Sequence, residues 1–228
     1  ASGNVFIPDN SNSSVLEYPH GSTTLLRTLF DPNEYPYTCA VDSPKATLAV
    51  VDLQSVNGSR GGGVSIYARE RNRRKDYSEP FVYFYYFGAF DASGNLFMDA
   101  ADQVPSLPFV FVELPKDAGS LQTVTLEQSF AVPGGVAWDG KHVAVGDSKS
   151  STIYRFDITG STGIEVGSTH LRRGRFVTQY VIDGDTVVGA NFHGSSVMFW
   201  KYPGGGAPTK KIVGLGEPFG VALSRASR

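Results

Sequence analysis

Short apolar runs recur along the chain, and each ends at or beside an aspartate or asparagine. The runs are NVFIPDN, TLAVVD, NLFMDAA, HVAVGD and TVVGAN, and they end near Asp9, Asp52, Asp99, Asp147 and Asn191. Successive runs are 43, 48, 47 and 44 residues apart when the third is counted at Ala100. A period of roughly 40–50 residues built from short strands is typical of a β-propeller, in which each repeat forms one blade.

A second apolar strand follows the first at a constant interval in three repeats. It comes six residues after the terminal Asp or Asn, at Val15, Ile153 and Val197. The intervening segments DNSNSS, DSKSST and NFHGSS are rich in side chains that hydrogen-bond nearby backbone amides and so favour tight turns. The sequence therefore predicts three first hairpins of the same shape.

The blade boundaries are placed after a fourth strand in each repeat. These strands end at Asp42, Asp91, Asp139, Asp183 and Ser224, and short segments such as DASGN, DGK and DGD lead to the next apolar run. The expected blades cover about 5–42, 47–91, 96–139, 142–183 and 187–224 of one domain spanning residues 1–228. We expect an all-β, five-bladed propeller of four-stranded antiparallel blades, with six blades as the alternative. The ring would close by side-chain packing, without a blade shared between the two termini.

Composition supports an all-β chain and gives little guidance about a partner. The 228 residues include 26 Gly and 13 Pro, but only two Met. A net charge of −2 gives no field that would attract nucleic acid. No apolar run reaches the roughly 18–20 residues of a transmembrane helix. A first residue Ala1 and a surface rich in Ser, Thr, Gly and Asn favour a secreted, extracellular or cell-surface protein, with a monomer expected.

The acidic residues that end the apolar runs form one candidate site. If the runs line a central channel, the side chains of five residues approach one mouth: Asp9, Asp52, Asp99, Asp147 and Asn191. Their oxygen atoms could hold Ca²⁺ or another divalent cation. The alternative is structural, because an Asp at the head of a Ser-rich hairpin can accept backbone hydrogen bonds.

Basic residues form the second candidate. The second repeat contains RERNRRKDYSEP, in which Arg69, Arg71 and Arg73 alternate and would face one side of a strand. Such a stripe could bind phosphate, a sulfated glycan or an acidic protein surface, and the alternative is a solvated outer strand. A smaller basic run contains Arg172, Arg173 and Arg175.

Catalytic motifs are absent from the sequence. There is no GxSxG and no phosphate-binding loop, and none of the four histidines lies in a zinc-binding pattern. Among the histidines, His193 is the candidate for ligand binding, because it lies beside Phe192 in a first hairpin. Trp200 is expected in the core, with stacking on a sugar as the alternative.

Several segments resemble NHL-type repeats. GNLFMDA, STIYRFDI, PGGVAWDGKHVAVGD and VMFWKYPGGGAPTKKIVGLGEPFGVALS are similar to repeats of secreted or lipid-anchored propeller proteins of soil bacteria. Related propellers include lactonases, for which the resemblance implies a central metal held by Glu, Asn and Asp. They also include lyases, for which it implies paired catalytic His and Glu. Neither set of residues matches this sequence.

Three functions are consistent with the sequence. The first is a non-enzymatic extracellular module or scaffold that presents its end loops to a glycan, peptide or protein partner. The second is a metal-dependent lactonase or lyase with its site in the central channel. The third is a structural subunit of a surface assembly.

Overall fold

The protein is an all-β, five-bladed β-propeller. The computed structural model describes residues 3–42, 46–58, 60–68, 74–102 and 108–225. These residues form five sheets and two short 3₁₀ turns, Asn10–Asn12 and Phe192–Gly194. No helix in these five segments is long and apolar enough to cross a membrane.

The five sheets follow one another along the chain. The first contains β1 (Val5–Asp9), β2 (Ser14–Tyr18) and β3 (Arg27–Phe30). The second contains β4 (Glu34–Asp42), β5 (Thr47–Ser55), β6 (Gly61–Ala68) and β7 (Arg74–Tyr77). The third contains β8 (Phe84–Phe90), β9 (Leu96–Ala101), β10 (Phe109–Leu114) and β11 (Gln122–Thr123). The fourth contains β12 (Thr125–Leu126), β13 (Pro133–Trp138), β14 (Val143–Asp147), β15 (Thr152–Thr159) and β16 (Thr162–His170). The fifth contains β17 (Val177–Asp183), β18 (Thr186–Asn191), β19 (Ser196–Lys201) and β20 (Gly205–Val213).

The predicted hairpins of equal shape are confirmed. The strand-end pairs are Asp9 with Ser14, Asp147 with Thr152, and Asn191 with Ser196. Each turn has a serine in the left-handed conformation just before its second strand, namely Ser13 (φ 47°), Ser151 (φ 50°) and Ser195 (φ 46°). One local sequence pattern therefore produces the same strand pairing and the same left-handed serine three times, and two of the three turns are 3₁₀ turns.

The predicted blade boundaries are wrong by one strand. Neighbouring sheets contact one another mainly through β4, β8, β13 and β17, so these are the inner strands of their blades. The prediction placed each of them last in its repeat, whereas each lies at one edge of its sheet and pairs with the strand that follows it in the chain. Connections of two to five residues join them to β5, β9, β14 and β18. A tight hairpin pairs the strands that it joins, so both strands belong to one blade.

The two ends of the chain meet in the first blade, contrary to the prediction. Among the described residues, the first sheet contains β1, β2 and β3 but no inner strand, and residues 218–225 lie beside β17, where such a strand would be. The Thr178 hydroxyl donates to the Phe219 carbonyl at 2.6 Å, and the Val221 amide donates to the Gln179 side chain at 3.0 Å. The Ser224 hydroxyl donates to the Gly3 carbonyl at 2.6 Å. Both termini therefore contribute to closure.

Each inner strand has an irregular start. The pairing register shifts near Pro36, and again between Tyr85 and Gly88, between Pro133 and Val136, and between Val177 and Tyr180. Such bulges bend a strand and turn its side chains in a new direction. All four occur at the end of the blade where the Asp or Asn residues lie, and they shape the mouth of the channel there.

Candidate functional site

A continuous row of aromatic rings crosses this channel mouth. We call it the aromatic band, and in spatial order it comprises Tyr83, Phe84, Tyr86, Tyr37, Phe219, Phe192, His193 and Phe176. Neighbouring ring centroids along it are 4.7, 6.3, 5.8, 5.2, 6.1, 5.0 and 5.1 Å apart. The second, third and fifth sheets contribute rings, and the C-terminal segment provides the central one.

The rings of the band are only partly covered by the protein. Phe219 is 39% exposed and His193 is exposed, while the other six residues are half-buried. Contiguous apolar surface of this kind is uncommon on a soluble protein unless it contacts a ligand or partner. The band is therefore the best candidate for a binding surface among the described residues.

Backbone contacts between neighbouring inner strands position the band. Tyr86 lies in the bulge of β8, and its carbonyl accepts a hydrogen bond from the Thr38 hydroxyl of β4 at 2.6 Å. The Thr178 hydroxyl holds the Phe219 carbonyl in the same way. Phe87 packs beneath Tyr37 and Phe219, with centroid distances of 5.8 and 6.3 Å. These contacts orient rings that come from separate blades.

The predictions from sequence missed most of this band, although a signal was present. Five residues before the last residue of each predicted fourth strand, the chain has Tyr37, Tyr86, Gly134, Thr178 and Phe219. Three aromatic residues in one column of a five-repeat alignment would have indicated a common location. Of the band, only His193 was predicted as a ligand-binding residue, and its ring contacts Phe176 and Phe192.

Three of the predicted metal-binding residues bind the backbone that leads into the inner strands. Asp99 is fully buried, and its Oδ1 accepts the Phe87 amide of the β8 bulge at 2.7 Å. Asn191 Oδ1 accepts the Arg175 amide at 2.5 Å. Asp147 accepts the amides of Ala131, Val132 and Lys149 at 3.4, 3.3 and 3.0 Å. These side chains accept hydrogen bonds from backbone N–H groups that are not paired with a neighbouring strand.

The other two members of the ring also have local partners. Asp9 accepts a hydrogen bond from the Asn12 side chain at 2.7 Å, and Asp52 accepts one from the Ser65 hydroxyl at 2.9 Å. Across the five described segments, no group of three or more His, Cys, Asp or Glu side chains could hold a metal ion. These contacts fit the structural alternative, and the Ca²⁺ site stays a prediction.

Asp99 lies beneath the aromatic band and affects its tyrosines. Burial raises the pKa of Asp99 well above its usual value, and the Phe87 amide offsets only part of that effect. Burial also raises the pKa of Tyr86, with a smaller contribution from the charge of Asp99. Within the described part of the chain, Asp99 Oδ2 has no hydrogen-bond partner. A buried carboxyl with a raised pKa therefore lies beneath the phenol ring of Tyr86.

An open groove of about 770 Å³ lies at the Tyr83 end of the band. Its walls include Arg60, Glu79, Phe81, Tyr83 and Asp102. The Phe81 side chain is 82% exposed there. The groove extends the band outwards between the second and third blades, so the surface is long rather than confined to the channel.

The remaining predicted residues have different outcomes. The stripe of Arg69, Arg71 and Arg73 lies outside the described residues, so its role stays a prediction. Trp200 is fully buried and donates from Nε1 to the Arg172 carbonyl at 3.1 Å. It belongs to the core, as expected, and cannot stack on a sugar.

A buried acidic cluster was not foreseen from the sequence. The carboxyls of Asp31 and Asp52 are buried, and the Ser65 hydroxyl lies 3.2 and 2.9 Å from them. Arg74 contacts Asp31 at 2.6 Å and Glu34 at 3.3 Å. Burial, and then the charge of Asp31, raise the pKa of Asp52 well above its usual value. The cluster therefore places two buried carboxyls around the Ser65 hydroxyl, with the Arg74 guanidinium beside Asp31, and its role is structural.

Comparison with known proteins supports the fold. No family model and no curated protein matches the chain. The structure is similar to a calcium-binding regucalcin from Agrobacterium tumefaciens, with a TM-score of 0.67 and 14% identity over 95% of this chain and 72% of that one. It is similar to a gluconolactonase from Xanthomonas campestris, with a TM-score of 0.71 and 14% identity over 95% of this chain and 74% of that one. It is also similar to a chain of a nidogen/laminin complex, with a TM-score of 0.64 and 10% identity over 99% of both. At these identities the likeness concerns the propeller fold alone.

Proposed function

We propose that the protein is a non-enzymatic binding propeller that binds a glycan along the aromatic band. The observation that carries the proposal is the unbroken row of partly exposed rings across the channel mouth, with centroid spacings of 4.7–6.3 Å. The hydrophobic faces of sugar rings stack on aromatic side chains, and a linear surface suits a chain-like ligand. A position outside the cell or at its surface fits this function.

Rigidity of the surface supports the same proposal. Tyr37, Phe84 and Tyr86 lie in the strands β4 and β8. Hydrogen bonds at 2.6 Å from the Thr38 and Thr178 hydroxyls hold the backbone at Tyr86 and Phe219. A surface ordered before binding loses less conformational entropy when the ligand arrives. A glycan could therefore bind here without a large rearrangement of the protein.

Affinity electrophoresis and calorimetry with a panel of neutral and acidic polysaccharides test the proposal. We expect at least one polysaccharide to bind, and we expect His193→Ala and Tyr86→Ala each to weaken that binding roughly tenfold, which corresponds to about 1.4 kcal/mol. His193 is exposed and Tyr86 is half-buried, so both variants should fold.

Phe30→Ala provides a matched control. Phe30 is 71% exposed on β3, the outermost strand of the first sheet, and does not belong to the band. Its removal should leave glycan affinity unchanged. Equal losses in the control and in the band variants would contradict a specific role for the band, and so would the absence of binding to every polysaccharide.

A second candidate function is lactone hydrolysis in the channel. It is favoured by the buried Asp99 carboxyl beneath the mouth and by the fold that the chain shares with the gluconolactonase. If binding alone is the function, the wild-type protein should not accelerate the hydrolysis of gluconolactone, and Asp99→Asn should keep its glycan affinity. Wild-type turnover that Asp99→Asn reduces a hundredfold, in a folded protein, would instead favour the enzyme.

A further inference from the structure

Three exposed arginines stand at one end of the aromatic band. Arg172, Arg173 and Arg175 lie between β16 and β17, and Phe176, the last ring of the band, follows them. The His193 amide donates to the Arg175 carbonyl at 3.1 Å, so the loop lies directly beside the exposed histidine. We call residues 172–175 the arginine loop.

The backbone of the arginine loop is fixed at nearly every residue. Arg172 donates its amide to the Gly206 carbonyl at 3.0 Å and accepts the Trp200 indole N–H at 3.1 Å. Gly174 donates its amide to the Leu171 carbonyl at 2.9 Å, and Leu171 itself is buried. The Arg175 amide donates to Asn191 Oδ1. The loop is exposed but firmly held.

Two residues of this segment have a strained backbone. Arg173 (φ 68°) and Phe176 (φ 64°) have left-handed conformations that are unfavourable for a side chain with a Cβ, and most unfavourable for bulky ones. Strain of this kind is concentrated at functional sites. Here one such residue is basic and the other, Phe176, contacts the His193 ring of the band at a centroid distance of 5.1 Å.

The guanidinium groups have no acidic partners. Along the five described segments, no ion pair involves Arg172, Arg173 or Arg175, although Arg27, Arg60, Arg74 and Arg225 each form at least one. A planar guanidinium group can donate two parallel hydrogen bonds to one carboxylate or sulfate group. A rigid loop with three unpaired guanidinium groups can therefore bind such anionic groups.

We propose that the arginine loop binds the anionic groups of an acidic glycan, so that the ligand of the band is a uronic-acid or sulfated polysaccharide. This inference rests on the proposed function. The aromatic band would stack on the sugar rings, and the arginine loop would make anionic glycans bind more tightly than neutral ones. The aromatic rings and the cations are contiguous through Phe176 and His193, so one chain can contact both.

The test compares polygalacturonate with its fully methyl-esterified form, using the whole protein and calorimetry at two salt concentrations. We expect the wild type to bind polygalacturonate at least tenfold more tightly than the ester, and to lose much of that preference as added salt screens the charges. The triple variant Arg172→Gln/Arg173→Gln/Arg175→Gln should bind both polymers with the same low affinity. It should keep the wild-type fold, because these side chains form no ion pairs.

A charge-matched control removes three other cations. Lys116→Gln/Lys210→Gln/Lys211→Gln changes exposed residues on the loop after β10 and on the outer strand β20, and it should keep the preference for polygalacturonate. Equal binding of both polymers by the wild type, or an unchanged preference in the arginine variant, would overturn the inference while leaving the proposed function intact. Tighter binding of a single-stranded oligonucleotide than of polygalacturonate would also overturn it. Failure of both polymers and of the neutral panel would instead reject the proposed function.

Discussion

Arg74→Met should destabilise the protein by about 3–5 kcal/mol at neutral pH, which is the usual cost of removing one partner from a buried ion pair. The Arg74 side chain is only 19% exposed, and its guanidinium contacts Asp31 at 2.6 Å, Glu34 at 3.3 Å and Asp76 at 2.5 Å. Methionine keeps much of the volume but leaves the buried charge of Asp31 without a counter-ion. Urea denaturation of both proteins measures the difference.

The loss of stability in Arg74→Met should increase as pH rises from acid to neutral. The pKa of Asp52 is raised in the folded protein, mainly by burial, so the folded state binds this proton more tightly than the unfolded chain. Its contribution to stability is therefore complete at acid pH and is lost as pH rises through the raised pKa. In Arg74→Met the charge of Asp31, which opposes the ionisation of Asp52, has lost its cation, so the deficit of this variant should grow from acid to neutral pH.

Two further variants show whether the loss of stability in Arg74→Met comes from the missing charge or from altered packing. Arg60→Met removes a guanidinium that is 60% exposed and also contacts Glu34, so it should cost about 1 kcal/mol or less. Asp31→Asn combined with Arg74→Met removes the uncompensated charge and should recover part of the lost stability. If Arg74→Met proves as stable as Arg60→Met at neutral pH, the cation is not required by the buried carboxyls.

The local parts of the fold could be predicted from the sequence because their causes are local. The turn after Asp9, Asp147 or Asn191 depends on a few neighbouring residues, and it forms with the same strand pairing each time. Assignment of strands to blades failed for a different reason. The period of a repeat is the same whichever strand is counted as its first, so the period cannot show which strands belong to one blade. The short turns rich in Gly and Asp could have shown this, because a tight turn joins two strands that pair with each other.

The binding surface could be predicted only in part, since it depends on contacts between distant residues. Tyr37 and Phe219 are neighbours in the band although 182 positions separate them in the sequence. Their directions depend on strand bulges and on the C-terminal segment that closes the ring. The arginine run was visible in the sequence, but its lack of acidic partners was not. The acidic cluster was missed because Asp31, in the loop that joins the first and second blades, contacts Ser65, which lies 34 positions further along the chain in β6.

Trp200→Ala should also cost about 3–5 kcal/mol, the range for removing a large aromatic side chain from a core. Trp200 is fully buried among Leu171, Val177 and Tyr180. A Cβ atom built on Gly189 would lie 3.1 Å from its ring, so the glycine lets the indole approach the backbone of β18 closely. The cavity left by alanine cannot be filled by a side chain from that position, and the urea midpoint should fall accordingly.

Trp200→Phe tests the second role of this residue, which is to support the arginine loop. Phenylalanine fills most of the space, so its loss of stability should be clearly smaller than that of alanine. It cannot donate the hydrogen bond that Trp200 Nε1 makes to the Arg172 carbonyl at 3.1 Å. The loop should become less ordered, and the preference for polygalacturonate should fall several-fold while binding of neutral glycans is retained. An unchanged preference in Trp200→Phe would show that the other backbone contacts of Arg172 and Arg175 suffice to hold the loop.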